Sequence, residues 1–204
     1  MDSLTFMANF PRPVSKAISP VLLLAAGLPA SGKSFFVHEL ASVVPLAHLN
    51  TDEIRNTLSE GKPTFSGEEN YVVHTTAGKL AAKLLSEGYH VVYDATSVLA
   101  RDRKSALQHA VASGARTAIA WCEVSESVAA ERLAARAAGL DERDHSSAND
   151  SVRRRMLARH SKPGLHEASA LFYVSPENVA FAVASVALFL NSAEPRTDPG
   201  QPTI

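Results

Sequence analysis

The stretch Val21-Leu22-Leu23-Leu24-Ala25-Ala26-Gly27-Leu28-Pro29-Ala30-Ser31-Gly32-Lys33-Ser34 decides the reading of this chain. Its first six residues are short and uniformly apolar, the pattern of a strand covered on both faces. Its last eight fit G-x-x-x-x-G-K-[ST], and Ser34–Val43 carries a helical pattern. Gly27 and Gly32 let the backbone turn tightly enough for several N–H groups to point at phosphate oxygens. The helix that opens near Lys33 adds the positive end of its dipole. Lys33 can reach β- and γ-phosphates, and the Ser34 hydroxyl can ligate Mg²⁺. At average residue usage the four fixed positions arise by chance in roughly one percent of chains this long, and the strand-then-helix context lowers that further. Gly27, Leu28, Pro29, Ala30, Ser31, Gly32, Lys33, Ser34 and Phe35 are therefore expected to cradle a nucleoside triphosphate.

Outward from this loop, apolar runs alternate with helical patterns. Strands are expected at Pro45–Asn50, Tyr89–Asp94 and Arg116–Cys122. Helices are expected from about Glu68 to Glu87, over Arg101–Ser113, over Ser125–Ala138 with Ser125 as N-cap, and over Asp150–His160. Gly88 and Gly114 close two of them. Val179–Leu190 offers a last strand, with helix as the alternative. Strands separated by helices imply crossover connections and a parallel sheet between helical layers. The expected fold class is α/β, with about five strands, helices on both faces and a short lid. Residues 1–19 hold Pro11 and Pro13 and read as a flexible arm, 20–191 as the folded domain with a lid at about 137–150, and 192–204 as a disordered tail.

Composition narrows the function classes. The chain has 204 residues, 46% of them hydrophobic and 20% charged, enough for one domain with its own core. A net charge of −1 argues against holding nucleic acid mainly by bulk charge, while leaving a local basic groove open. The longest apolar runs fall short of the ~20 residues a membrane span needs. The single cysteine, Cys122, lies in an apolar run and reads as a buried strand residue of a protein from a reducing compartment. A cytoplasmic protein is expected.

In an open parallel sheet, ligands sit beyond the C-terminal strand ends, so those ends carry the chemistry. The second strand runs into Asn50-Thr51-Asp52-Glu53-Ile54-Arg55. Asp52 can take a proton from an attacking hydroxyl, and Arg55 can hold an anion on the acceptor. The blander alternative makes Asp52 a helix cap and Arg55 a surface charge. The third strand closes on Asp94-Ala95-Thr96-Ser97, where Asp94 can organise Mg²⁺, orient Ser34 or touch the acceptor. Arg132 and Arg136, four apart, share a helix face beside the charged loop that holds Arg143, and can bring charge to a transferring phosphoryl group. Arg153-Arg154-Arg155 reads as an exposed helix face. His48, His74, His90 and His109 show no metal-ligand spacing and read as strand-edge or helix-surface residues.

The series GLPASGKS, NTDEIR, VVYDATS and ERLAAR, in this order from about Val21 to Pro163, resembles the P-loop kinases that include polynucleotide 5′-kinases. Predicted ATP-binding kinases, gluconate kinases and zeta toxins are relatives of that group. The resemblance implies an adenylate-kinase-like P-loop NTPase fold and an ATP-dependent kinase with Mg²⁺ as cofactor. It implies Lys33, Asp52 and Arg136 as catalytic residues: the phosphate-binding lysine, the general base and the lid arginine. It places Arg55, Asp94 and Thr96 around the substrates and Ser34 toward the metal, while Arg132 on the substrate side and Asp94 on the metal side come from the reading of the residues themselves. Partners would be ATP and a hydroxyl acceptor, either a 5′-OH polynucleotide or a small metabolite. An NTP-binding switch or ATPase without an acceptor, and a zeta-toxin-like sugar-nucleotide kinase, are the alternatives. Ser97 stands where polynucleotide kinases often carry asparagine, and Ser147-Ala148-Asn149-Asp150-Ser151-Val152 resembles the predicted-kinase subgroup instead.

Overall fold

Strand β1 (Val21–Ala26) lies at the centre of the sheet, and all six of its residues are fully buried. In the computed structural model, which describes residues 1–111, 113–139 and 150–192, helix α1 (Ser3–Asn9) precedes it and α2 (Lys33–Ala41) follows it. The chain continues through β2 (Ala47–Asn50), α3 (Thr51–Leu58), α4 (Gly67–Ser86), β3 (Val91–Asp94) and α5 (Ala100–Val111). Next come β4 (Arg116–Cys122), α6 (Glu126–Ala137), α7 (Asp150–Leu157), β5 (Ala170–Val174) and α8 (Val179–Asn191). The sheet has the order β2-β3-β1-β4-β5, and every pairing is parallel. The five-stranded α/β architecture agrees with the sequence reading.

Alternation along β1 builds two cores. Leu22, Leu24 and Ala26 point to the side where Val73, Ala77, Leu80, Leu84, Ala106 and Leu107 of α4 and α5 pack. Val21, Leu23 and Ala25 face Phe36, Val37 and Leu40 of α2 and Ala182, Val186 and Leu190 of α8. A strand with helices on both faces has no polar side, which is why β1 reads as an unbroken apolar run. Trp121 and Cys122 are buried at the end of β4, and burial pushes the Cys122 thiol up to about 12.

Two elements differ from expectation. Val179–Leu190 is helix and not strand; its buried positions 182, 186 and 190 repeat every four residues, the period of a helix laid on the sheet. The fifth strand is Ala170–Val174, an edge strand whose residues are mostly half-buried. Residues 1–19 are not a loose arm throughout. The Asp2 carboxylate caps α1 by accepting from Leu4 N and Thr5 N, and Phe6, Met7 and Phe10 pack on the core beside α4. A seven-residue helix is too short to show a period in sequence. Residues 140–149, with Arg143 and most of the expected lid, and residues 193–204, expected as a tail, lie outside the described residues.

Register fixes the height of the site. Ala25 of β1 lies opposite Asp94 of β3, which lies opposite Asn50 of β2. Three strands therefore end level, and the segments leaving them share one crevice at the point where the strand order reverses.

Candidate functional site

The phosphate loop leaves β1 at Gly27, whose N–H donates to Thr96 O at 3.0 Å, and enters α2 at Lys33. A Cβ on Gly27 would lie 2.2 Å from Cys122 O, so the loop can lie against the end of β4 only with glycine there. Gly32 has φ +94 and Ala30 φ +63, so the loop reverses twice through left-handed backbone. Lys33 Nζ bridges Gly27 O at 3.1 Å and Leu28 O at 3.2 Å, across the mouth of the loop. Ser31 Oγ is buried with no hydrogen-bond partner, and it lines a cleft of about 110 Å³ with Leu28, Trp121 and Arg153. An orphaned buried hydroxyl beside the lysine of a glycine-framed loop that opens a helix fits a polyanionic ligand. Phe35 is exposed on the outside of α2, whereas its neighbour Phe36 is fully buried in the core.

Asp94 is the hub between strands. It is 3% exposed, and its Oδ2 faces Ser34 Oγ at 3.3 Å, His48 Nε2 at 3.1 Å and Asn50 Nδ2 at 3.4 Å. Its carbonyl accepts from Thr51 Oγ1 at 3.1 Å. A serine hydroxyl beside a carboxylate supplies the hard oxygen donors that suit Mg²⁺. Thr96 stands beside this group, its carbonyl tied to Gly27. His48 is not a free strand-edge residue but a partner of Asp94.

On the acceptor side, the helix-cap alternative for Asp52 does not hold. Asn50 caps α3, its Oδ1 accepting from Asp52 N at 2.9 Å and Glu53 N at 3.2 Å. The half-buried Asp52 carboxylate makes no hydrogen bond or ion pair to another described residue. Arg55 is no surface charge either: it is 6% exposed, with Nη1 on Glu69 Oε2 at 3.1 Å and its guanidinium 5.0 Å from the Phe65 ring centre. Nearby, the buried Tyr93 hydroxyl meets His74 Nδ1 at 2.9 Å, a contact the sequence did not signal.

The arginines divide in an unexpected way. Arg132 Nη1 donates to Ala30 O at 3.1 Å, so this α6 residue touches the phosphate loop itself. Arg136 is half-buried in the last turn of α6. Of the run at 153–155, Arg154 and Arg155 are exposed as expected, but Arg153 is 2% exposed. Its guanidinium donates to Pro29 O and to both Glu126 oxygens, tying α7 and α6 to the phosphate loop. Three adjacent arginines on a short helix cannot all face outward, and the sequence signal was the spacing of Arg153 with Met156 and Leu157, which turn toward the core. Among the described residues no cluster of three or more His, Cys, Asp or Glu could hold a metal, and no helix is long and apolar enough to cross a membrane.

With this geometry in place, comparison with known proteins decides the family. A sequence model of a family described as AAA domain matches residues 22–163. The chain belongs to the AAA-domain family. Its P-loop kinase fold recurs in solved structures of low identity. Kti12 of Chaetomium thermophilum, solved with ADP-AlF3, superposes with a TM-score of 0.65 at 17% identity, covering 81% of this chain and 95% of that one. The APS kinase CysC of Mycobacterium tuberculosis, solved with AMPPNP and APS, gives 0.58 at 18% identity, covering 84% and 98%. A sugar kinase of Janibacter sp. gives 0.59 at 13%, covering 84% and 94%. No curated protein matches the sequence significantly. This AAA-domain chain thus has the nucleotide-binding fold of P-loop kinases.

Proposed function

We propose that this protein is a kinase that moves the γ-phosphoryl group of ATP to a hydroxyl acceptor, with a 5′-OH polynucleotide or a small metabolite as the acceptor. The observation that carries this reading is the Asp52 carboxylate. It is half-buried and unpaired among the described residues, one turn before a buried arginine, on a helix whose Asn50 cap touches Asp94 beside the phosphate loop. A switch or a simple ATPase has no use for a spare carboxylate one turn from an arginine that can hold an anion.

In this reading the loop N–H groups and Lys33 hold the phosphates, with Lys33 exchanging its carbonyl partners for phosphate oxygens. Ser34 and Asp94 would hold Mg²⁺, which would neutralise charge on the phosphates. Asp52 accepts the proton of the acceptor hydroxyl as its oxygen bonds to the γ-phosphorus and the bond to ADP breaks. Arg132 and Arg136 stabilise charge on the transferring group, and Thr96 and Arg55 line the acceptor side. Catalysis of this type is mostly positioning.

The test is Mg²⁺-dependent transfer of labelled γ-phosphate to 5′-OH oligonucleotides, nucleosides, sugar acids and aminosugars, with Lys33→Ala and Asp52→Ala beside wild type. A labelled acceptor that disappears in both variants supports the kinase. ATP hydrolysis without labelling, unchanged in Asp52→Ala, replaces it with the switch reading.

A further inference from the structure

Strand β2 carries its two polar side chains on one face. Ala47 and Leu49 turn into the core beside α4, so by strand alternation His48 and Asn50 point to the other side of the sheet. There His48 stands opposite Val92 of β3, a fully buried member of the apolar core under α2. An imidazole next to such a layer needs a polar partner, since an unpaired ring N–H is costly there. The partner is Asp94.

His48 Nε2 lies 3.1 Å from Asp94 Oδ2, and Asn50 Nδ2 donates to the same oxygen at 3.4 Å. A carboxylate only accepts, so it is Nε2 of the His48 ring that carries the proton. Ser34 Oγ donates to Oδ2 as well, at 3.3 Å, and Thr51 Oγ1 holds the Asp94 carbonyl at 3.1 Å. Three donors from β2 and α2 therefore converge on one oxygen of this carboxylate. Its Oδ1 makes no hydrogen bond to another described residue. The torsion of an aspartate carboxyl is soft, and an unheld group would present either oxygen. Here the orientation is set from outside, and the strongest contact in that set is the histidine, at the shortest of the three distances.

We propose that His48 is a positioning residue of the metal site: its ring N–H, beside the Asn50 amide, pins Asp94 Oδ2 and leaves Oδ1 as the oxygen that meets a divalent cation. This rests on the reading of Asp94 as the metal carboxylate and adds to it a residue that acts only through Asp94. Partners that orient a metal-binding side chain typically govern metal affinity by about 10–100-fold. The same oxygen also ties the metal side to the acceptor side, because the Asn50 side chain that donates to it caps α3, the helix that carries Asp52.

The readout is the ratio of AMPPNP affinity in Mg²⁺ to AMPPNP affinity in EDTA, both measured calorimetrically on the full chain. This ratio isolates what the metal adds at the phosphate loop and needs no acceptor. His48→Leu, which keeps the bulk and removes the donor, is expected to lower the ratio about tenfold. His48→Gln, whose amide can donate to the same oxygen, is expected to return it to within about twofold of wild type. Asp94→Asn marks the ratio left when the carboxylate itself is gone. A wild-type ratio in His48→Leu, with a fall in Asp94→Asn, overturns the role of His48 and leaves Asp94 at the metal. Equal falls in the Leu and Gln variants overturn it too, since the ring's bulk and not its N–H would then matter. A fall of equal size in Mg²⁺ and in EDTA leaves the ratio unchanged and assigns His48 to the fold alone. A ratio indifferent to Asp94→Asn overturns the metal carboxylate and the positioning role together. Phosphoryl transfer is scored separately, so a tenfold fall rescued by glutamine, with no acceptor labelled, keeps the positioning role and removes the kinase.

Discussion

Acidification should unlatch the strand that carries the phosphate loop. His90 is 6% exposed immediately before β3, and its Nδ1 accepts the N–H of Val21, the first residue of β1, at 3.2 Å. Only the neutral ring can accept there, and burial, helped by the nearby Arg116 charge, lowers its pKa to about 4 from 6.5. The sign follows from linkage. Between those values the unfolded chain binds a proton that the folded chain refuses, so stability is lost as pH falls from 6.5 toward 4. The loss integrates to about 2 kcal/mol by about pH 5 and about 3 kcal/mol once pH is below the folded value. Urea unfolding of wild type and His90→Gln, at about pH 7.5 and about pH 5, isolates this residue from the other histidines. Glutamine can accept the same N–H through Oε1 and cannot be charged. Wild type should lose about 2 kcal/mol more than the variant over that interval. Parallel losses in the two proteins would refute the assignment of this pH dependence to His90.

Gly27→Ala should abolish AMPPNP binding and lower stability by about 2–4 kcal/mol, because its Cβ would collide with Cys122 O at 2.2 Å; calorimetric titration and urea unfolding check both. Arg153→Met should weaken AMPPNP by about tenfold while the fold survives, since it frees Pro29 from α7 and leaves Glu126 in solvent. Ser97→Asn should raise stability by about 0.5 kcal/mol, since Ser97 has φ +39 and asparagine tolerates left-handed backbone better; a lower midpoint in urea would show that the side chain does not fit.

The legible part of this molecule is the part governed by local rules. An all-apolar six-residue strand followed by a glycine-framed turn and a helix start is read within fourteen residues, and Ser125, Gly88 and Gly114 likewise announced helix ends from their own chemistry. Asp52, Arg55 and Asp94 were visible because each closes or follows a strand, where a parallel sheet places its ligands. By contrast, Val179–Leu190 is apolar enough for either a strand or a helix, and only its packing on α2 decided for helix. Ala170–Val174 was hidden because an edge strand is covered on one side and carries a weaker pattern.

The sequence by itself therefore determined the α/β class, the phosphate loop and the residue types around it, because these depend on backbone geometry and period over short spans. Partnership was decided only by tertiary structure. Nothing in the chain order says that His48 meets Asp94, that Glu69 holds Arg55, or that Arg153 of an arginine triplet reaches Pro29, 124 residues away. Those contacts follow from strand register and helix rotation, which are set when the two cores close around β1. A charge shows its sign in sequence, but its role depends on what lies within about 3 Å of it once folded.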